Sequence, residues 1–142
     1  MTTTDPTGGP AIYVASRASV PDLPEMWKRA RAEGAPIISS WIDEAGPGQT
    51  LDVGGFWEAQ VFDEIRACTG LVLYVRDGDA PLKGAIGEAC AALILGKPVV
   101  IVAEDCDSRA VLGSWIAHRL VMRRNTIREA FQALGWKGGG HD

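Results

Sequence analysis

Short apolar runs alternate with helically spaced segments along this chain, and turn residues separate them. Residues 11–15, Ala-Ile-Tyr-Val-Ala, predict a strand; after Ser16 and Arg17, a Pro-flanked stretch opening at Pro21 and Pro24 and closing at Gly34 predicts a helix. Residues 36–42, Pro-Ile-Ile-Ser-Ser-Trp-Ile, predict a second strand, and 43–55 carry the Gly and Pro punctuation of a long loop, a candidate lid. Between 56 and 69 the apolar positions Trp57, Val61, Ile65 and Cys68 recur at helical spacing, with Gly70 placed just past the helix end. Residues 71–75 predict a buried strand, 77–79 a turn, 84–95 an Ala-rich helix, and 99–103 a fourth strand behind a Gly96-Lys97-Pro98 stop. Thr126 and Glu129 have capping-box spacing, which starts the last helix at about Ile127 and frees 118–123 to be a fifth strand.

Apolar strands alternating with helices imply a parallel sheet covered on both faces, because each parallel crossover needs a helix-length connection. The expected fold is α/β, a flavodoxin-like or Rossmann-like three-layer sandwich on a five-stranded parallel sheet of order 2-1-3-4-5. The switch point of that order lies between the first and third strands, so the segments after Ala15 and Val75 flank one crevice. Tyr13, Ser16, Arg17 and the loop leading to Glu88 are expected to face it. A single domain over 11–135 is expected, with flexible tails at 1–10 and 136–142, where Gly, Pro and Thr dominate one end and Gly the other.

Composition narrows the partners. A formal charge of -4 offers no general attraction to a phosphate backbone, so no nucleic acid polymer is expected. Arg119, Arg123, Arg124 and Arg128 cluster late in the chain and read as a solvated face with counter-charges nearby. The apolar runs are too short to span a bilayer and the N-terminal residues lack a signal-peptide pattern, so no membrane is expected. Cys68, Cys90 and Cys106 form no Cys-x-x-Cys pair, which favours reduced thiols and a cytoplasmic setting. Two distant histidines, His118 and His141, suggest no zinc site; no metal and no cofactor are expected.

Glu88 carries the most chemistry. It stands near the start of a helix that follows one apolar strand and precedes another, where open α/β sheets place their ligands. A plainer account exists, since the helix dipole favours an acid near a helix start by a few tenths to about 1 kcal/mol. Near a helix start, amides would also hold the carboxylate deprotonated, which suits a nucleophile.

Ile12-Tyr13 in the first strand, Asp63 on the helix before the third, and Gly84-x-x-x-Glu88 followed by Gly-Lys-Pro-Val together resemble the nucleoside 2-deoxyribosyltransferase superfamily, which includes 2'-deoxynucleoside 5'-monophosphate N-glycosidases. The resemblance spans about 11–134 and implies an enzyme, a transferase or hydrolase, whose Glu88 attacks the anomeric carbon and forms a covalent glycosyl ester. It implies that Tyr13 orients that carboxylate, and that Asp63, or failing it Glu64, contacts substrate and helps protonate the departing base. Two departures bear on substrate: Leu82 stands where the monophosphate hydrolases have a phosphate-binding serine, and the acidic residue of the transferases is missing there unless Asp77 or Asp79 reaches in.

Ser16, Arg17 and Lys83 are the phosphate contacts that remain, beside Gly84 at a helix start, although ordinary loop polarity explains them equally well. Trp41 and Trp57 flank the long loop, placed to stack on a base, but burial as core plugs is the commoner fate of tryptophan. Asp43 and Glu44 are weaker candidates for reading base edges. The implied partner is a small nucleoside or nucleotide, and the resemblance also implies a homodimer or higher homo-oligomer, with 115–124 as the segment a neighbour would contribute. Two other readings stay open: a non-catalytic nucleotide-binding or signalling domain on the same fold, and a glycosidase acting on a ribonucleotide or on NAD.

Overall fold

The structure, a computed structural model, describes residues 9–17, 22–44, 57–79 and 82–138, with the backbone alone at Trp57, Ala59 and Lys83. Residues 45–55 of the lid expected over 43–55, the prolines at 21 and 81, and tail residues 1–8 and 139–142 lie outside these residues. In chain order the elements are strand β1 (Ile12–Ala15), helix α1 (Asp22–Ala32), the single turn α2 (Trp41–Glu44), a π-helical turn (Trp57–Val61) running into α3 (Phe62–Ala67), and β2 (Gly70–Tyr74). Then come α4 (Lys83–Ile94), β3 (Val99–Val102), α5 (Ser108–Leu112), a 3-10 turn (Ser114–Ala117), β4 (Val121–Arg124) and α6 (Ile127–Ala133).

The sheet is parallel, with four strands in the order β1-β2-β3-β4, so the five strands expected from the sequence are not reached. The missing one is 36–42. Ile37 makes a single parallel bridge to Ile12, where Ile12 donates to the carbonyl of Pro36 at 2.9 Å and Ile38 donates to the carbonyl of Ile12 at 3.0 Å. The ladder stops there because side chains take over the outer edge of β1. The N–H of Val14 donates to Ser39 Oγ at 2.7 Å, and its carbonyl accepts from Trp41 Nε1 at 2.7 Å. With both polar groups of Val14 satisfied, no backbone partner is required and the chain turns into α2. The segment keeps its place outside β1 but not its strand character.

Strand parity shows that helices cover both faces. Tyr13 lies opposite Leu71 in register, and Leu71 and Tyr74, three residues apart, point to opposite faces. Trp27 of α1 meets Tyr74 edge-on at 6.3 Å and lies 6.3 Å from Phe131 of α6, so α1 and α6 share the Tyr74 face. Tyr13 points the other way, toward α4, and α3 packs beside α4 there. Every residue of β1, β2 and β3 is buried, as a doubly covered parallel sheet demands. The arrangement is Rossmann-like α/β, and among the described residues no helix is long and apolar enough to cross a membrane.

The last strand and helix differ from expectation in detail. Of 118–123 only the part from Val121 is strand, since His118 closes a turn by accepting from Leu120 at its Nδ1, 3.0 Å away. Thr126 Oγ1 caps α6 by accepting from Glu129 at 3.1 Å, as the spacing predicted. Arg119, Arg123, Arg124 and Arg128 are exposed, but none forms an ion pair among the described residues. Arg123 and Arg124 instead stud the open edge of β4, where charge discourages pairing with another sheet. Arg128 lies over the Trp136 ring at 5.5 Å, and Trp136 packs edge-on against Phe131 at 5.8 Å. The expected tail from 136 is therefore docked at least as far as Gly138, which is buried.

Trp27 is fully buried at the centre of this aromatic layer, and its indole N–H donates to Ser16 Oγ at 2.9 Å. Trp27→Ala is expected to destabilise the protein by about 3–5 kcal/mol through the cavity it leaves. A calorimetric scan should show Tm lowered by roughly 10 °C or more.

Candidate functional site

Strand alternation and the β2-α4 crossover bring Tyr13 and Glu88 together. Tyr13, the second residue of β1, is fully buried and aimed at the face that α4 covers. Glu88 lies in the second turn of α4, only 9% exposed, and its Oε2 accepts from the Tyr13 hydroxyl at 3.0 Å. Seventy-five positions separate the two residues in sequence. A tyrosine hydroxyl buried in a core needs a partner, and this carboxyl is the one it has.

Burial pushes the Glu88 carboxyl up to about 8; the Tyr13 hydroxyl opposes the rise and the negative charge of Glu64 adds to it. Desolvation, and after it the charge of Glu88, hold the Tyr13 phenol far above its ordinary value. Glu88 is thus not held ionised by helix amides, as its place near a helix start suggested. It stands a turn too far along α4 to reach the free N–H groups, and loss of water dominates.

Of the two adjacent acids on α3, it is Glu64 whose charge reaches Tyr13 and Glu88. Asp63 points to solvent and pairs with Arg66 one turn on, at 2.9 Å. Glu64 is half-buried, its Oε1 accepts from the backbone N–H of Ser40 at 3.0 Å, and its charge bears on both Tyr13 and Glu88. The helix spacing carries this signal. Val61, Ile65 and Cys68 form the buried face of the helical turn, and Glu64 lies three after Val61 and four before Cys68, whereas Asp63 is two from either Val61 or Ile65. Ser40, which had no role in the sequence reading, ties α3 to the start of α2; its own hydroxyl is buried with no partner among the described residues. The π-helical turn leading into α3 is a rare element that often marks functional sites.

The remaining candidates divide. Arg17 reaches across from the end of β1 to the carbonyl of Gly78 in the turn after β2, at 3.5 Å, which puts the two expected walls of the crevice side by side. Ser16 is buried and its Oγ accepts from the Trp27 N–H, so it braces the core behind the first loop. Asp79 is buried too, and its Oδ2 closes its own turn by accepting from Arg76 N at 2.8 Å. Trp41 is a core plug bonded to Val14, not a base-stacking surface. Asp43 is engaged by Arg31 through two bonds of 3.0 and 2.8 Å on the surface. Gly84 is exposed in the first turn of α4, while the side chains of Lys83 and Trp57 are outside the described residues.

Two surface grooves lie apart from these residues. One, of about 280 Å³, runs between α1 and α6; the other, of about 410 Å³, lies between Cys90, Leu93 and Ile94 of α4 and the Trp115 turn. No group of three or more side chains fit to hold a metal ion occurs among the described residues.

A buried carboxyl oriented by a phenol, with a second carboxylate fixed nearby, is an arrangement that can divide nucleophile and acid roles between two acids. No protein-family model matches this chain, and no curated protein matches it either.

Proposed function

We propose that the protein cleaves or exchanges the N-glycosidic bond of a 2'-deoxynucleoside or its 5'-monophosphate, with Glu88 as nucleophile and without a cofactor. The observation that carries this reading is the buried 3.0 Å bond from Tyr13 to Glu88, the pair that the resemblance implies as orienter and nucleophile. In this scheme an oxygen of Glu88 bonds to the anomeric carbon as the C–N bond breaks, and its electron pair leaves with the base. Glu64 takes the part first given to Asp63. The proton that Glu88 gives up on becoming the attacking carboxylate goes to the departing base. Water then hydrolyses the ester, or a second base displaces it.

The test is chromatographic detection of free base after incubation with a panel of deoxynucleosides and their 5'-monophosphates, with and without an acceptor base. Release or exchange is the expected result. No release with any member of the panel, together with nucleotide-induced thermal stabilisation, would replace the proposal by a nucleotide-binding domain on the same fold. In the same assay Glu64→Gln should lower the rate by about 10²–10⁴-fold, the range for loss of a general acid, while Asp63→Asn should change it less than threefold, roughly the surface-residue level. The reverse order would return the role to Asp63.

A further inference from the structure

Lys97 has a role that its place in a Gly-Lys-Pro helix stop does not explain. Its backbone belongs to the end of α4: Lys97 N donates to the carbonyl of Ala92 at 2.9 Å, after Gly96 has turned the chain with φ of 78°. Its side chain belongs to a different helix. The Lys97 ammonium donates to the carbonyl of Arg66 at 2.7 Å and to that of Cys68 at 2.7 Å, the exposed carbonyl end of α3. A cation is favoured there by the helix dipole, and these carbonyls have no partner within the helix.

We infer that Lys97 is a positioning residue that joins α3 to α4 at the end remote from the site and so sets where Glu64 stands relative to Glu88. Glu64 lies two and four residues before the carbonyls that Lys97 holds, and α3 is only six residues long. So short a helix has little internal rigidity to absorb a loosened end. Cys68, its final cap residue, is buried and also donates to Ile65 through its thiol at 3.1 Å, but that bond stays within α3 and does not tie it to α4. Lys97 cannot touch a substrate at Glu88, because it lies where β3 begins, whereas Glu88 lies near the start of α4, beyond the end of β2. The catalytic consequence rests on the glycosidic reading above; the geometric one does not.

The test follows the Glu88 carboxyl by carbon-13 NMR titration of the whole chain, with its resonance assigned through Glu88→Gln. Among the described residues, Tyr13 from β1 and Glu64 from α3 are the charged or titratable neighbours that bear on Glu88. Lys97→Met is expected to move the Glu88 midpoint down by roughly half a pH unit, because Glu64 withdraws from it. Loss of a nearby positive charge would move the midpoint up, so the sign separates the two causes. In a Glu64→Gln background the same Lys97→Met change should leave the midpoint where Glu64→Gln puts it, and Lys97→Arg, which keeps a charged multiple donor, should restore the wild-type value. An unchanged midpoint in Lys97→Met, or an equal fall with and without Glu64, would overturn the proposal. If the Met variant does not fold, Lys97→Gln carries the same comparison under the same criteria. None of these readings needs activity, so a protein without glycosidase activity leaves this test intact.

Discussion

Glu88→Gln protein is expected to release no base, with the rate lowered by roughly 10⁴-fold or more, the scale on which removal of an attacking group acts. Glutamine keeps the shape of the side chain and its carbonyl oxygen can still accept from the Tyr13 hydroxyl. Folding should therefore be retained, and the loss can be read as chemistry. The measurement is base release by chromatography beside a thermal scan of the same sample. Activity within tenfold of wild type would remove Glu88 from the nucleophile role. The structure sharpens this test because Glu88 is buried and its hydroxyl partner is within 3.0 Å, so no rearrangement of the fold is needed to explain a loss.

A second large effect is expected in the pH dependence of stability. The carboxyl of Glu88 rises from an ordinary value of 4.5 in the unfolded chain to about 8 in the folded one. Between those values the folded state binds a proton that the unfolded state has lost, so stability falls as pH rises. The neutral carboxyl costs nothing extra below about pH 4.5, the penalty grows through the window, and above about pH 8 it is constant. At about 1.4 kcal/mol per pH unit, the total amounts to a few kcal/mol. Urea unfolding at a series of pH values should show this decline in wild type and a much flatter profile in Glu88→Gln, which carries no proton to lose. Equal profiles for the two proteins would mean that water reaches Glu88 and that the site is open in solution. Tyr13→Phe should extend the decline to higher pH, because the Tyr13 hydroxyl is the contact that lowers the Glu88 value.

The two acids show how differently sequence and structure speak. Tyr13 and Glu88 were legible because strand alternation, the β-α crossover and a family resemblance all converged on them. Their contact across seventy-five positions agrees with that reading. Asp63, the member of its pair preferred from the sequence, points to solvent, whereas the helical face of Val61, Ile65 and Cys68 points inward beside Glu64. Ser16, Asp79 and Trp41 had the right residue types for binding, yet each also makes a hydrogen bond within its own fold. Side-chain chemistry in a sequence does not say whether an internal donor will claim it.

Hydrophobic periodicity and turn residues indicated the parallel α/β arrangement and where its four strands lie. Those features depend on repeat patterns of two and 3.6 residues, which are local. Tertiary structure decided what no local pattern holds. It ended the second strand at one bridge, because Ser39 and Trp41 satisfy the outer edge of Val14 before a ladder can extend. It also turned the expected ionised nucleophile into a carboxyl with a proton to lose near pH 8, since desolvation depends on every element packed around Glu88 and not on its place in a helix.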